Sequence, residues 1–382
     1  MYLRREKTKN KMLNIEDMKI KITLLLIVFY VISFSQVSNT GVMDTTDGEH
    51  IGKISVGGYV DAYYGYNFNQ PNANSTPYFV SMNRHNEMNI NLAFIDLRYN
   101  TERVRARIVP GFGTYINSNY AAEPGALKNI VEASAGLRLS KRKNVWLDYG
   151  IIGSPYTNES AISKDHLVYT RSFSAENVPY YLSGAKLSVT LSQKINLYLY
   201  LINGWQQIID QNQYKSFGSQ LEIRPNNKNL INWNTYIGDE RSAAHPLYRN
   251  RYFTDLYWIF ESGKKFSSTA CAYIGLQQKI GQESIWWSAN YSARYSFTHK
   301  FSLSGRVEYF TDPNNTMISS IISSNQFSSY SGTVGVNYKI GDHALLRLEN
   351  RIFYSEKDNY FDQNFNAVKM MNVAMSNITV WF

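Results

Sequence analysis

The residues best placed to do chemistry are charged ones that recur at every second position. Arg103, Arg105 and Arg107 are separated by Val104 and Ala106, while Glu132 and Arg138 lie on the opposite phase to Ala133, Ala135 and Leu137. Asp148 sits between Leu147 and Tyr149, and the same spacing returns at Glu222 and Arg224, at Arg306 and Glu308, and at Arg347, Glu349 and Arg351. In a strand this period puts every charge of a ladder on one face and the apolar residues on the other. Such a face can hold, orient or repel polar solutes. Covalent chemistry is harder to find. The six histidines are scattered, and no Gly-x-Ser-x-Gly turn, His-Glu-x-x-His helix, phosphate-binding glycine loop or paired-cysteine site is present. Arg84-His85-Asn86-Glu87 reads as a polar network at a strand start. Lys164-Asp165-His166 could belong to a hydrolytic site, but no serine is positioned by sequence to complete it. No catalytic residue, metal or cofactor is therefore expected.

The elements that must carry these charges are strands, and Asn129–Ile152 shows the unit. Val131, Ala133, Ala135, Leu137 and Leu139 fall on one face, with Glu132, Ser134, Gly136, Arg138 and Ser140 on the other. After the turn Lys141-Arg142-Lys143-Asn144 the alternation resumes, with Val145, Leu147, Tyr149 and Ile151 opposite Trp146, Asp148 and Gly150. Two such runs and a short polar turn make a hairpin. A soluble sandwich would have to bury one face of it against a second sheet, charges included or lipid-like surface exposed. A transmembrane barrel has no such conflict, since apolar residues meet lipid and charged ones meet a wet lumen.

Bulk properties agree. Lys19 and Lys21 precede the apolar run Ile22–Phe34, which is followed by Ser35-Gln36. The pattern is that of a secretory signal, and the run is shorter than the ~20 residues of a membrane-spanning helix. Residues 1–35 are accordingly expected to be leader and signal peptide, 36–52 a periplasmic N-terminal segment, and 53–382 the barrel. Removing residues 1–35 takes away seven basic and three acidic residues, which leaves 32 and 27 and lowers the formal charge from +9 to +5. These charges are spread along the chain, so no nucleic-acid footprint emerges. With one cysteine, Cys271, an intramolecular disulfide is excluded. A mean hydropathy of -0.35 argues against helical spans and leaves a barrel open, because only alternate residues of a barrel strand need be apolar. The 30 tyrosines and 7 tryptophans suit interfacial girdles.

Alternation predicts about sixteen strands, near 53–68, 84–100, 103–116, 130–140, 144–152, 180–192, 195–206, 214–224, 229–238, 250–261, 265–279, 285–298, 301–311, 329–341, 344–356 and 371–382. Strand 2 breaks phase, with Ile90, Leu92 and Phe94 on even positions but Ile95, Leu97 and Tyr99 on odd ones, and a bulge near Phe94–Ile95 would account for this. Connections alternate between short and mostly long. The fold class is thus an all-β, transmembrane antiparallel up-and-down β-barrel with short periplasmic turns, long extracellular loops and both termini periplasmic. The last strand closes on Ile378, Val380 and terminal Phe382, the kind of signal read by the barrel insertion machinery.

The expected pore lining is Arg103, Arg105, Arg107, Glu132, Arg138, Asp148, Glu222, Arg224, Arg306, Glu308, Arg347, Glu349 and Arg351. These charges could pair with one another and plug a closed barrel, yet sixteen strands normally enclose more space than side chains can fill. The longest connection, Gly153–Pro179, carries Glu159, Lys164, Asp165, Arg171 and Glu176. Folded inward, it would set acidic groups against Arg103, Arg105 and Arg107 and narrow the bore; a solvated surface flap is the other reading.

Several motifs, in order, carry a resemblance: Asn83-Arg84-His85-Asn86-Glu87-Met88-Asn89-Ile90-Asn91-Leu92-Ala93, Asn119-Tyr120-Ala121-Ala122-Glu123-Pro124, Asn144-Val145-Trp146-Leu147-Asp148, Glu159-Ser160-Ala161-Ile162, Glu176-Asn177-Val178-Pro179-Tyr180-Tyr181 and Leu201-Ile202-Asn203-Gly204-Trp205-Gln206. Across most of the chain after the leader it resembles the beta-barrel porin-2 family of Gram-negative outer membranes. The resemblance implies an outer-membrane porin and transfers no functional residue. The first reading is a passive aqueous pore for small hydrophilic solutes, in contact with outer-membrane lipid and with homo-oligomerisation left open. A barrel-embedded lipase or protease, or a surface adhesion or assembly scaffold, are the alternatives.

Overall fold

The fold is described from a computed structural model, which covers residues 49–51, 53–71, 74–263, 265–322 and 324–382. The expected leader and signal, and most of 36–52, lie outside these residues.

Period-2 alternation becomes sixteen long strands. They are β1 (Ile54–Asn67), β2 (Glu87–Asn100), β3 (Val104–Phe112), β4 (Ile130–Arg138), β5 (Val145–Gly153), β6 (Tyr181–Ser192), β7 (Ile195–Ile202) and β8 (Ser216–Asn226). The second half comprises β9 (Asn229–Asp239), β10 (Tyr248–Glu261), β11 (Phe266–Lys279), β12 (Gln282–Ser296), β13 (Phe301–Asp312), β14 (Phe327–Ile340), β15 (Ala344–Ser355) and β16 (Met370–Trp381). Each strand pairs antiparallel with its sequence neighbours, and β16 pairs with β1, from Val373 opposite Asn67 to Trp381 opposite Tyr59. The sheet therefore closes on itself and has no free edge. A short strand, Glu49–Ile51, folds back on the start of β1, and a two-residue pair, Tyr360–Phe361 with Ala367–Val368, decorates the connection 356–369.

Because the chain simply goes up and down, its connections fall into two sets. One end carries 101–103, 139–144, 193–194, 227–228, 262–265, 297–300 and 341–343; the other carries 68–86, 113–129, 154–180, 203–215, 240–247, 313–326 and 356–369, with the tight turn 280–281 as the exception. The outward face is apolar, as at Leu137, Leu199, Phe217, Val307, Val334 and Leu348, all exposed. Aromatic rings gather on that face in two bands. Trp287, Tyr309 and Tyr330 touch near the long-connection end, and Tyr295, Phe297 and Phe301 near the other. Such girdles mark the two boundaries of a hydrocarbon layer.

The strand readings differ from the structure in detail. β3 stops at Phe112 rather than 116, and a short helix, α1 (Thr114–Asn119), follows. The break falls at Gly113, whose φ of 132° suits glycine and where a Cβ would approach the Asn91 carbonyl oxygen to 2.4 Å. β7 likewise ends at Ile202, not 206. The phase break in β2 is a bulge, but at Asn91: Asp61 lies opposite Leu92 and Ala62 opposite Ile90. Leu92, Phe94 and Asp96 consequently turn inward and are buried, while Ile95, Leu97 and Tyr99 face out. A second bulge takes Val131 out of register between Glu132 and Ile130, so it is buried rather than lipid-facing.

Candidate functional site

The connection 154–180 runs inside the barrel wall, because its polar groups bond to inward-facing residues of many strands. Near its start, Asn234 on β9 donates to the Pro155 carbonyl (3.1 Å) and the Thr157 N–H donates to Asp255 on β10 (2.8 Å). Tyr156 reaches the β8–β9 wall, its hydroxyl donating to the Thr235 carbonyl (3.2 Å) beside Gly218, where a Cβ would already meet that hydroxyl at 3.1 Å. Asn158 donates to Thr269 on β11 and Asn290 on β12, both at 3.0 Å. Farther on, the Ser163 hydroxyl donates to Asp61 on β1 (2.9 Å), and the Tyr169 N–H donates to Glu349 on β15 (2.5 Å). The Phe173 N–H donates to Glu308 on β13 (2.6 Å), at the start of a single helical turn, α2 (Phe173–Glu176), capped by the Ser172 hydroxyl. Buried backbone N–H groups need acceptors, and here strand carboxylates supply them.

Charges and rings between this connection and β10–β16 exclude water. Arg306 meets Glu159 at 3.3 Å and Glu308 at 3.2 Å, and donates to the Thr170 carbonyl at 2.5 Å. Arg351 meets the same Glu308 at 2.6 Å and donates to the Arg171 carbonyl at 2.8 Å. The Arg306, Arg351, Glu308 and Glu159 side chains are at most 2% exposed. Arg347 donates to the Ser163 carbonyl (2.6 Å) and hydroxyl (2.7 Å). Burial by itself would raise the Glu159 carboxyl, but Arg306 and the Ser172 N–H hold it below its ordinary range. Phe173 packs on Phe310, Phe327 and Phe353.

The wall from β2 to β8 borders a cavity of about 410 Å³. Its charges pair within a strand or with strands one or two away. Asp96 receives Arg98 and Arg107, both at 2.7 Å, and Arg107 also reaches Glu132 at 2.7 Å. Arg105 holds Asp148 with two bonds of 2.6 and 2.5 Å, and its guanidinium lies 4.4 Å over the Trp146 ring. Glu222 takes Arg224 at 3.1 Å and an N–H of Asn196 at 3.1 Å. These side chains keep partial access to water; Arg105 is 25% exposed and Arg107 16%.

The expected sites are thus split. Arg105, Arg107, Glu132, Asp148 and Glu222 border the cavity, whereas Arg306, Glu308, Arg347, Glu349 and Arg351 are buried against the inward connection. Arg103 belongs to neither group: it is exposed in the turn before β3, one residue outside the strand. Arg138, at the end of β4, is half-buried. The expected opposition between the acidic groups of 154–180 and Arg103, Arg105 and Arg107 does not occur. Glu159 bonds to Arg306, Glu176 accepts from the Val80 and Ser81 N–H groups (2.8 and 3.0 Å), and the ladder arginines take Asp96, Glu132 and Asp148 instead. Carboxylates one or two strands away are nearer than any the connection brings, because it crosses to the opposite wall. Lys164 pairs with Asp165 (3.3 Å) and lies over the Trp381 ring, and Arg171 lies over Tyr180.

Asp96, Arg98, Lys186, Tyr156 and Asp61 were not among the expected sites. Asp96-x-Arg98 continues the inward phase that follows the β2 bulge, and Lys186-x-Ser188 opposes Leu187 and Val189 on β6, so the period carried that signal. Tyr156 and Asp61 carried none. A hydrolytic reading of Lys164-Asp165-His166 finds no support in the geometry: His166 Nε2 bonds to the Ser160 carbonyl (2.8 Å), and burial lowers the ring's pKa to about 4. Among the described residues no group of His, Cys, Asp and Glu is arranged to hold a metal.

Known proteins now give the fold a context. Three solved structures align at probability 1.00: OmpT, an outer membrane protein of Vibrio cholerae (9% identity, TM-score 0.56, covering 88% of this chain and 100% of that one); an anion-selective porin from Comamonas acidovorans (8%, 0.57, 86% and 99%); and the outer membrane channel DcaP of Acinetobacter baumannii (9%, 0.59, 86% and 97%). At these identities they share the fold and nothing finer. No curated protein matches the chain in sequence. The family model described as putative beta-barrel porin-2, OmpL-like, matches residues 53–382, the whole closed barrel. The chain belongs to that family of outer-membrane porins.

Proposed function

We propose that this porin is a passive aqueous channel for small hydrophilic solutes in which only part of the lumen conducts. The observation that supports this reading is the unequal filling of the interior. The connection 154–180 and its rings occupy the side of β10–β16, while the β2–β8 side keeps an open, charged cavity. Solutes would pass along the arginine wall and past Ser154 and Pro155, with which the inward connection borders the cavity. The short turns face the periplasm and the long connections face outward, as in barrels whose termini stay inside. Phe382 is the residue offered to the insertion machinery; its backbone pairs with Gly58 (2.9 and 3.1 Å), so it closes the seam between β16 and β1. The Vibrio cholerae neighbour also occurs in a trimer form, which makes a homo-oligomer the assembly to look for in detergent.

Purified protein in planar lipid bilayers tests the reading. Discrete conductance steps are expected, and deletion of residues 158–171 should enlarge them by freeing the filled side. A protein that inserts and gives no steps would overturn the channel, and unchanged steps after the deletion would remove this connection from the path.

A further inference from the structure

The cavity wall holds a cation, Lys186, and a hydroxyl, Ser188, that have no hydrogen-bond partner among the described residues. Lys186 and Ser188 alternate on β6 with Leu187 and Val189, so both enter the lumen, and both border the cavity. Lys186 stands between Asp148 on β5 and Tyr200 on β7, and Ser188 between Trp146 and Tyr198. Asp148 is already held by two bonds from Arg105. The Lys186 ammonium is 4.0 Å from that carboxylate, beyond hydrogen-bond reach, so its donors are left to solvent or solute. Ser188 is 4% exposed and its hydroxyl has no partner among the described residues.

Charge counting points the same way. Arg98 and Arg107 are matched by Asp96 and Glu132, and Arg224 by Glu222, whereas Asp148 faces both Arg105 and Lys186. One positive charge is in excess beside a buried, unpaired hydroxyl. A bound oxyanion would correct both, accepting from the ammonium and the hydroxyl together. At about 410 Å³ the cavity lies in the range of small-molecule sites.

We infer that Lys186 and Ser188 form an oxyanion-binding station in the lumen, selecting small carboxylates or phosphates from the solutes that reach it. The inference deepens the channel reading and rests on it only for access to the cavity. Calorimetry on the full chain in detergent, with sodium succinate and with sodium phosphate, tests it. Wild type should bind at least one saturably. Lys186→Met should weaken that binding by about tenfold or more, the loss of a charged hydrogen bond, and Ser188→Ala by about threefold to tenfold. Lys186→Arg should restore most of the affinity. A difference in gel mobility between unheated and heated protein verifies folding of each variant, and Ser188→Ala decides if Lys186→Met does not fold. Binding of succinate alone or of phosphate alone would identify the class. Binding of neither, or affinities unchanged in folded variants, would overturn the station. Bilayer recordings separate the two readings: a wild type that binds but gives no conductance sinks the channel and leaves the station standing.

Discussion

The two sides of this barrel's interior carry the same sequence device and put it to opposite uses. Arg105-x-Arg107 on β3 and Arg347-x-Glu349-x-Arg351 on β15 are both inward ladders of alternate charge. On β3 the side chains pair with carboxylates one or two strands away and stay partly exposed. On β15 they are sealed beneath residues 154–180 and bond to that segment's backbone. The difference lies in the covering segment, since strand period decides which face a charge takes and a remote connection decides whether water reaches it. Sealed ion pairs bear a desolvation cost that hydrated ones escape, so removing one partner should have very different consequences on the two sides.

The largest effect is expected on the sealed side. Glu308→Ala would strip Arg351 of the carboxylate it pairs with and leave Arg306 with Glu159, and it also removes the acceptor for the Phe173 N–H. Loss of a partner from a buried network costs about 3–5 kcal/mol. Urea titration of the detergent-folded protein should show this as a lower midpoint, and the inward connection should become open to protease. A midpoint within error of wild type would mean that the network is hydrated after all.

Next comes the contrast between outside and inside on one strand. Leu147 pairs with Leu137 and Leu187 on the outer face, and Leu147→Arg would set a charge in hydrocarbon at a cost of roughly 2–4 kcal/mol near the midplane. Trp146→Arg points into the lumen, near Arg105 but also near Asp148, and should be milder. Equal loss of the heat-resistant folded form on a gel for both variants would break the assignment of faces.

How far the sequence foretold these differences follows from what is local. The sixteen strands, their closure by β16 and the inward phase of most charges were legible, because a period of two is written residue by residue. The bulge was legible as a phase break but not as Asn91, since Leu92 and Phe94 would suit lipid as well as the packed interior they join. Arg103 continued the ladder in sequence, and only the turn's position removed it. The partners of Glu159 were not legible at all, because Arg306 is distant in sequence and is reached only by the path of the connection.

A smaller effect depends on pH and again concerns the sealed side. His166 lies in the connection among Glu159, Arg171 and Arg347, and burial lowers its pKa from 6.5 to about 4. Between these values the unfolded chain binds the proton and the folded one does not, so stability rises with pH across that window. It is complete above about pH 6.5 and falls as pH drops toward 4. At pH 5 the loss is on the order of 2 kcal/mol. His166→Gln should flatten this slope, and a wild-type urea midpoint that stays constant from pH 7 to pH 5 would remove His166 from the balance.

The smallest stability change is expected on the open side, where the functional change should be plain. Arg105→Gln with Arg107→Gln removes three pairs whose arginines are partly exposed, worth about 0.2–1 kcal/mol each, so the urea midpoint should move little. The carboxylates they matched remain: Asp148 keeps only Lys186, Asp96 keeps only Arg98, and Glu132 loses the partner it has in Arg107. The wall then gains net negative charge in a confined, low-dielectric passage where such a field is focused. In a potassium chloride gradient the reversal potential should shift toward cation preference. A large fall in stability with no shift in potential would mean that this ladder, like the one on β15, serves the fold alone.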